Sequence, residues 1–202
     1  MSAMPKRKFT EAEYLAIERA AEFKSEFYNG EMFAMSGATF PHNRVKGNFD
    51  GNFFVQLKGS DCQSLTSDMR VKVDATGLYT YPDIIVVCGE LELLDGRQDV
   101  LLNPTVIIEV LSPSTEKYDR GAKFRQYQQI KSLKEYVLAA QDEPVCERYV
   151  RQAEENWTYT AVVGLDVEFA FASISVRIPM ADIYRGVTFL PPESAGSVEG
   201  LR

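Results

Sequence analysis

Cysteine, histidine and tryptophan are scarce in this chain of 202 residues, which holds three, one and one of them. The lone histidine, His42, excludes a His-rich zinc site, and no cysteine pair has zinc-finger spacing. Cys62, Cys88 and Cys146 lie far apart and cannot all pair, so they read as reduced thiols of a cytoplasmic protein, not as a secreted disulfide framework. No apolar run approaches the ~18 residues of a membrane span, and residues 1–8 are followed by no apolar stretch of signal-peptide length. The expectation is therefore a protein with no membrane partner. P-loop, dinucleotide-loop, H-E-x-x-H and G-x-S-x-G signatures are absent as well. A Ser-His-Asp triad would have to use His42, and nothing places a serine beside it. Positive charge is also in deficit, with 22 Lys+Arg against 29 Asp+Glu and a formal net charge of -7, which argues against a broad basic nucleic-acid surface.

What is present suits a single folded unit. With 45% hydrophobic and 25% charged residues, the chain is close to the globular average, and a chain this long buries about 70% of its unfolded surface. Thr10 with Glu13 forms a capping box, and Tyr14, Ile17 and Ala21 follow at helical spacing, so a first helix starts near Glu11. Asn29-Gly30 between Glu26-Phe27-Tyr28 and Glu31-Met32-Phe33 is a hairpin signal. Val45, Phe49, Phe53 and Leu57 recur every four residues and predict a second helix from about His42. Gly47 and Gly51 weaken that helix, though glycine also permits close packing.

Residues 67–74 alternate, with Met69, Val71 and Val73 on one side and Asp68, Arg70 and Lys72 on the other, as in a half-buried strand. Two further runs, Pro82–Cys88 and Val106–Leu111, are nearly all apolar and read as central strands covered on both faces. Between them lies an acidic, leucine-rich loop that turns at Asp95-Gly96. A third helix spans roughly Lys117 to Ile130, and strands are predicted over Glu135–Ala140, Val145–Arg151 and Trp157–Val163. Ile183, Tyr184 and Phe189 anchor the last segment, and residues 191–202 read as a frayed tail. The result is one α/β domain over residues 1–190.

Asp83 and Glu109 stand out because each interrupts an apolar strand, where a lone carboxylate is costly to bury or must take up a proton. Two acids at one rim of a sheet can share a hard divalent cation such as magnesium, which polarises a phosphodiester and acidifies a bound water. The residues alone fit equally well a turn cap at Asp83 and a lysine partner for Glu109. Lys123, on the helix that follows the Glu109 strand, can point to the same rim or to solvent. Glu26, at the start of the hairpin, is equally ambiguous. Residues 117–134 carry six cations, Lys117, Arg120, Lys123, Arg125, Lys131 and Lys134, against the single acid Asp119. Such a run is either a phosphate-facing patch or a solvated helix face. His42 is either a supporting polar residue or a helix-start histidine without function.

Taken together, Glu26 with the Asn29-Gly30 hairpin, His42, Ser67-Asp68-Met69-Arg70-Val71, Tyr81-Pro82-Asp83-Ile84, Ile108-Glu109-Val110-Leu111-Ser112-Pro113-Ser114-Thr115, Asp119 with Lys123 and Tyr127, and Glu135-Tyr136 resemble the Uma family of proposed endonucleases, over about residues 9 to 190. The resemblance implies a restriction-endonuclease-like fold of the PD-(D/E)XK superfamily: a central mixed β-sheet flanked by helices, preceded by an N-terminal helix and hairpin. It implies that Asp83 and Glu109 bind metal, Mg2+ or Mn2+, and that Glu26 is an accessory acid. The lysine expected two residues after Glu109 is absent, since Leu111 stands there, and the resemblance implies that Lys123 supplies the cation instead.

The expected activity is metal-dependent endonucleolytic hydrolysis of DNA, with catalytic residues Glu26, Asp83, Glu109 and Lys123 and phosphate contacts from Lys117, Arg120 and Arg125. The alternative is a catalytically impaired nuclease-like module that binds DNA or serves assembly. DNA is the expected partner, through a local basic patch, and a homodimer the expected assembly.

Overall fold

The structure, a computed structural model, describes residues 7–153 and 155–189, so the tail expected at 191–202 lies outside the described residues. Helix α1 (Glu11–Glu18) begins at the capping box, where the Thr10 side chain accepts from the Glu13 N–H and Glu13 accepts from the Thr10 N–H. The hairpin of β1 (Ser25–Tyr28) and β2 (Glu31–Ala34) turns through Asn29 at φ 50° and Gly30 at φ 81°. Both angles lie in the left-handed region, which is why Asn-Gly occupies this turn.

Helix α2 (Phe40–Gln56) starts two residues before His42 because Thr39 is its cap and Pro41 is tolerated in its first turn. Its stripe of Val45, Phe49 and Phe53, continued by Leu57, is buried. Gly47 and Gly51 face open space, so they permit no closer packing, contrary to the expectation.

Six strands form the large sheet in the order β11-β10-β9-β8-β6-β3: β3 (Cys62–Thr66), β6 (Ile84–Cys88), β8 (Val106–Leu111), β9 (Glu135–Ala140), β10 (Val145–Arg151) and β11 (Trp157–Val163). Only β8 and β9 run parallel, which makes the sheet mixed, as expected. The α2 stripe covers one face through Ile84, Val86, Ile108 and Val110. Phe124, Tyr127, Val71 and Leu78 cover the other through Ile85, Ile107 and Leu138. Coverage of both faces is the reason β6 is an apolar run and β8 is one but for Glu109.

The second sheet has the order β2-β1-β5-β4-β7, adding β4 (Arg70–Val73), β5 (Leu78–Thr80) and β7 (Val100–Leu101). The strand expected over 67–74 is therefore shorter, beginning at Arg70. Arg70 is also not solvated: it is buried, donates to the Tyr81 hydroxyl at 2.8 Å and lies 3.5 Å from Asp99. The helix after β8 is α3 (Glu116–Tyr118), a π-turn over Asp119–Lys123 and α4 (Phe124–Tyr127). A small hairpin of β12 (Glu168–Ala170) and β13 (Arg177–Pro179) precedes α5 (Met180–Ile183), and Ile183 and Tyr184 are buried as expected.

One expectation is overturned. Cys62 and Cys88 are not reduced thiols but a disulfide, because they are register partners on β3 and β6. Cys146 is free and buried. Among the described residues, no helix is long and apolar enough to cross a membrane.

Candidate active site

Antiparallel pairing of Ile84 with Ile108 sets Asp83, just before β6, and Glu109, within β8, at the same rim of the large sheet. The backbone of each strand anchors the acid of the other. The Val110 N–H donates to Asp83 Oδ2 at 2.9 Å, and the Asp83 N–H reaches Glu109 Oε2 at 3.4 Å. Glu109 is almost fully buried, and its Oε1 also accepts from the Tyr127 hydroxyl at 2.8 Å.

Lys123 arrives from the π-turn. A π-turn takes one more residue per turn than an α-helix, and such turns are frequent at functional sites. Here it lets Asp119 and Lys123 both point inward with Phe124 and Tyr127, and all four are buried. The Tyr136 hydroxyl holds the turn by donating to the Asp119 carbonyl at 3.1 Å. Lys123 Nζ lies 2.9 Å from Glu109 Oε1, 3.3 Å from Glu26 Oε1 and 3.5 Å from Asp119 Oδ1. Lys123 thus stands beside Glu109, while Leu111, two residues after Glu109 in β8, is core.

Glu26 enters from the second sheet, its Oε1 accepting from the Thr80 hydroxyl on β5. His42, in the first turn of α2, places Nε2 3.2 Å from Asp83 Oδ2. Its Nδ1 is buried with no hydrogen-bond partner among the described residues. Thr39, the α2 cap, donates to Gln141 Oε1 at 2.6 Å, tying that helix end to the chain leaving β9.

Four expected residues, Glu26, Asp83, Glu109 and Lys123, therefore meet in one buried cluster. Lys117, Arg120 and Arg125 line a neighbouring open groove of about 860 Å³ together with Tyr118. Within it Arg120 is committed to Glu116 at 2.7 Å and to Glu147, whereas Lys117 and Arg125 form no ion pair among the described residues. Sequence reasoning placed Asp119 and Tyr127 in the family pattern without a role and passed over Thr80 and Gln141. The roles of all four depend on partners from other elements or from the turn around Lys123.

The electrostatics follow from burial. Glu109 is pushed up to about 8, chiefly by burial, with Asp119 and Asp83 adding and Lys123 opposing. Burial also raises Asp119, against the pull of Lys123. For Asp83 burial is outweighed by the His42 hydrogen bond, the Val110 N–H and Lys123, so its carboxyl stays below the usual range. Burial disfavours the Lys123 ammonium, but Glu109, Glu26 and Asp119 hold it charged well above the ordinary lysine range.

Glu26, Glu109 and Asp119 surround the ammonium and Asp83 lies beside Glu109, so the donors gathered at this rim are hard oxygens. That donor set fits Mg2+ or Mn2+. Asp61, Cys62 and Cys88 form another cluster of ligand-type side chains, but it lies at the opposite end of the β3–β6 pair and its two sulfurs are bonded to each other.

Residues 11–176 match the family model Uma2, described as "Putative restriction endonuclease", and the chain belongs to that family. Two uncharacterized proteins of Synechocystis sp. (strain ATCC 27184 / PCC 6803 / Kazusa) are similar to it. One is 35% identical over 82% of this chain and 94% of its own length, the other 31% identical over 92% and 96%. A crystal structure from Anabaena variabilis, described as a "putative nuclease belonging to DUF820", shares the fold with a TM-score of 0.71 at 17% identity, covering 87% of this chain and 97% of that one.

Proposed function

Within this family, we propose that the protein is a metal-dependent endonuclease that hydrolyses DNA phosphodiester bonds. The observation that carries the reading is the Lys123 ammonium 2.9 Å from Glu109, on the strand next to Asp83. Those three groups supply a carboxylate pair and a fixed positive charge at one rim. Asp83 and Glu109 would hold Mg2+ or Mn2+. When bound, the cation polarises the phosphodiester and lowers the pKa of a water. Glu26 and Asp119 hold Lys123 in place, and its ammonium offsets charge that develops on the phosphate in in-line attack. His42 and the Val110 N–H orient Asp83 through Oδ2. Lys117 and Arg125, uncommitted to acids, contact the flanking phosphates, while Arg120 contributes less because Glu116 and Glu147 already neutralise it.

The test is cleavage of several DNA forms with Mg2+ or Mn2+ by the wild type and by Asp83→Ala and Glu109→Ala. Loss of cleavage in both variants, by a factor of about 100 or more, is the expected result. Equal cleavage by all three proteins would trace the activity to a contaminant and end the reading. A second reading, a nuclease-like DNA-binding module without activity, is favoured by one observation: Glu109 and Lys123 are both about 95% covered, at 3% and 5% exposure. Salt-dependent DNA binding that needs no metal, with no cleavage of any form, would select it.

A further inference from the structure

Strand alternation puts Glu26 and Tyr28 on one face of the hairpin, and the register places Phe33 directly opposite Glu26 on that same face. Ser25 and Phe27 turn the other way and are buried. Tyr28 and Phe33 are 39% and 49% exposed, although the hydrophobic effect favours covering them. The Tyr118 ring lies 5.8 Å from Lys123 Nζ and is 37% exposed. Exposed rings thus stand beside both members of the Glu26–Lys123 pair. Tyr118 also lines the groove that holds Lys117 and Arg125.

An apolar protein partner would have no use for the two uncommitted cations beside Tyr118. A polyanion with exposed ring faces would use both. In an intact duplex the base faces are already stacked on one another, and only phosphates and groove edges meet a protein. In an unpaired strand every base offers a π-face, and aromatic rings beside a cationic groove are the usual way to hold it. We infer that the substrate class is nucleic acid with unpaired nucleotides at the cleavage point, such as a single strand, a flap or a bubble, whose bases stack on Phe33, Tyr28 and Tyr118 while Lys117 and Arg125 hold the phosphates. This rests on the endonuclease reading and adds to it which form of DNA is cut.

The experiment compares fluorescein-labelled oligonucleotides of one sequence as single strand, flap and fully paired duplex. Anisotropy is read in Ca2+ and cleavage in Mn2+, with the full chain. The single strand and flap are expected to bind at least about tenfold tighter than the duplex. Phe33→Ala and Tyr118→Ala are each expected to weaken that binding about 5- to 100-fold and so to narrow its margin over the duplex. Phe33→Trp, which keeps a ring, is expected to retain it, and an abasic strand with the same phosphates should behave like the alanine variants. Duplex cut as well as single strand, with cleavage abolished by Asp83→Ala, would overturn this inference and leave the endonuclease reading standing. Binding of no form would overturn both. Phe33→Ala that dissociates a dimer and leaves single-strand binding intact would assign the ring to self-association, overturning the inference as well.

Discussion

His42 Nε2 stands 3.2 Å from Asp83 Oδ2, and this contact joins the first turn of α2 to the start of β6. Asp83 Oδ2 is thereby occupied twice, by His42 and by the Val110 N–H at 2.9 Å, which fixes the carboxylate plane. A metal-binding carboxylate gains affinity when its orientation is set by such outer contacts.

His42→Ala is therefore expected to weaken Mn2+ binding, read by isothermal titration calorimetry, by about 10–100-fold. His42→Gln, which can still donate to Oδ2, should recover much of it. Unchanged Mn2+ affinity in His42→Ala would make the contact merely structural.

Lys123→Ala removes the only ammonium among the described residues in contact with Glu26, Glu109 and Asp119 and leaves buried acids uncompensated. Urea denaturation should show a loss of about 3–5 kcal/mol. Lys123→Met combined with Glu109→Gln removes charge from both partners and should lose less. An equal loss in the two proteins would mean that packing, not charge, sets the effect.

Burial pushes the Cys146 thiol up to about 12 from 9.0, so the folded state keeps its proton longer than the unfolded chain does. A raised acid stabilises the folded state fully below the unfolded value, and that contribution is lost as pH rises from about 9 towards 12. Wild type should therefore lose stability faster than Cys146→Ala in that window, by about 1.4 kcal/mol per pH unit. Parallel curves would contradict this assignment.

The Cys62–Cys88 bond closes a loop over a sequence separation of 26 and ties edge strand β3 to β6. Cys62→Ser with Cys88→Ser should cost about 3 kcal/mol. Reductant should lower the melting temperature of wild type and leave that of the double variant unchanged. Without reductant, thiol titration of the unfolded wild type should find one reactive group, Cys146. Three would show that the bond does not form.

Elements whose signal is local were legible in the sequence. The capping box at Thr10, the Asn29-Gly30 turn and the four-residue stripe from Val45 to Leu57 each depend on neighbours a few residues apart, and each formed where its pattern lies. Strands β6, β8, β9, β10 and β11 were readable because burial on both faces, or alternation, writes itself into residue choice. Strands β3, β5 and β7 were not, since strands of five, three and two residues are too short to show a period. Arg70 misled for the same reason: alternation assigns it to solvent, but Tyr81 and Asp99 cover it from elsewhere in the chain.

The candidate site divides in the same way. Asp83 and Glu109 were conspicuous as carboxylates in apolar strands, because burying an unpaired charge is costly whatever the fold. Their partners were decided by the tertiary structure alone. Glu26, His42 and Lys123 come from a different sheet, a helix start and a π-turn, and converge only because β1, α2 and the helix after β8 dock around one rim. The cysteines make the same point from the other side. Two thiols separated by 26 positions become neighbours once β3 pairs with β6, and register is a property of strands in space, set by which faces they bury.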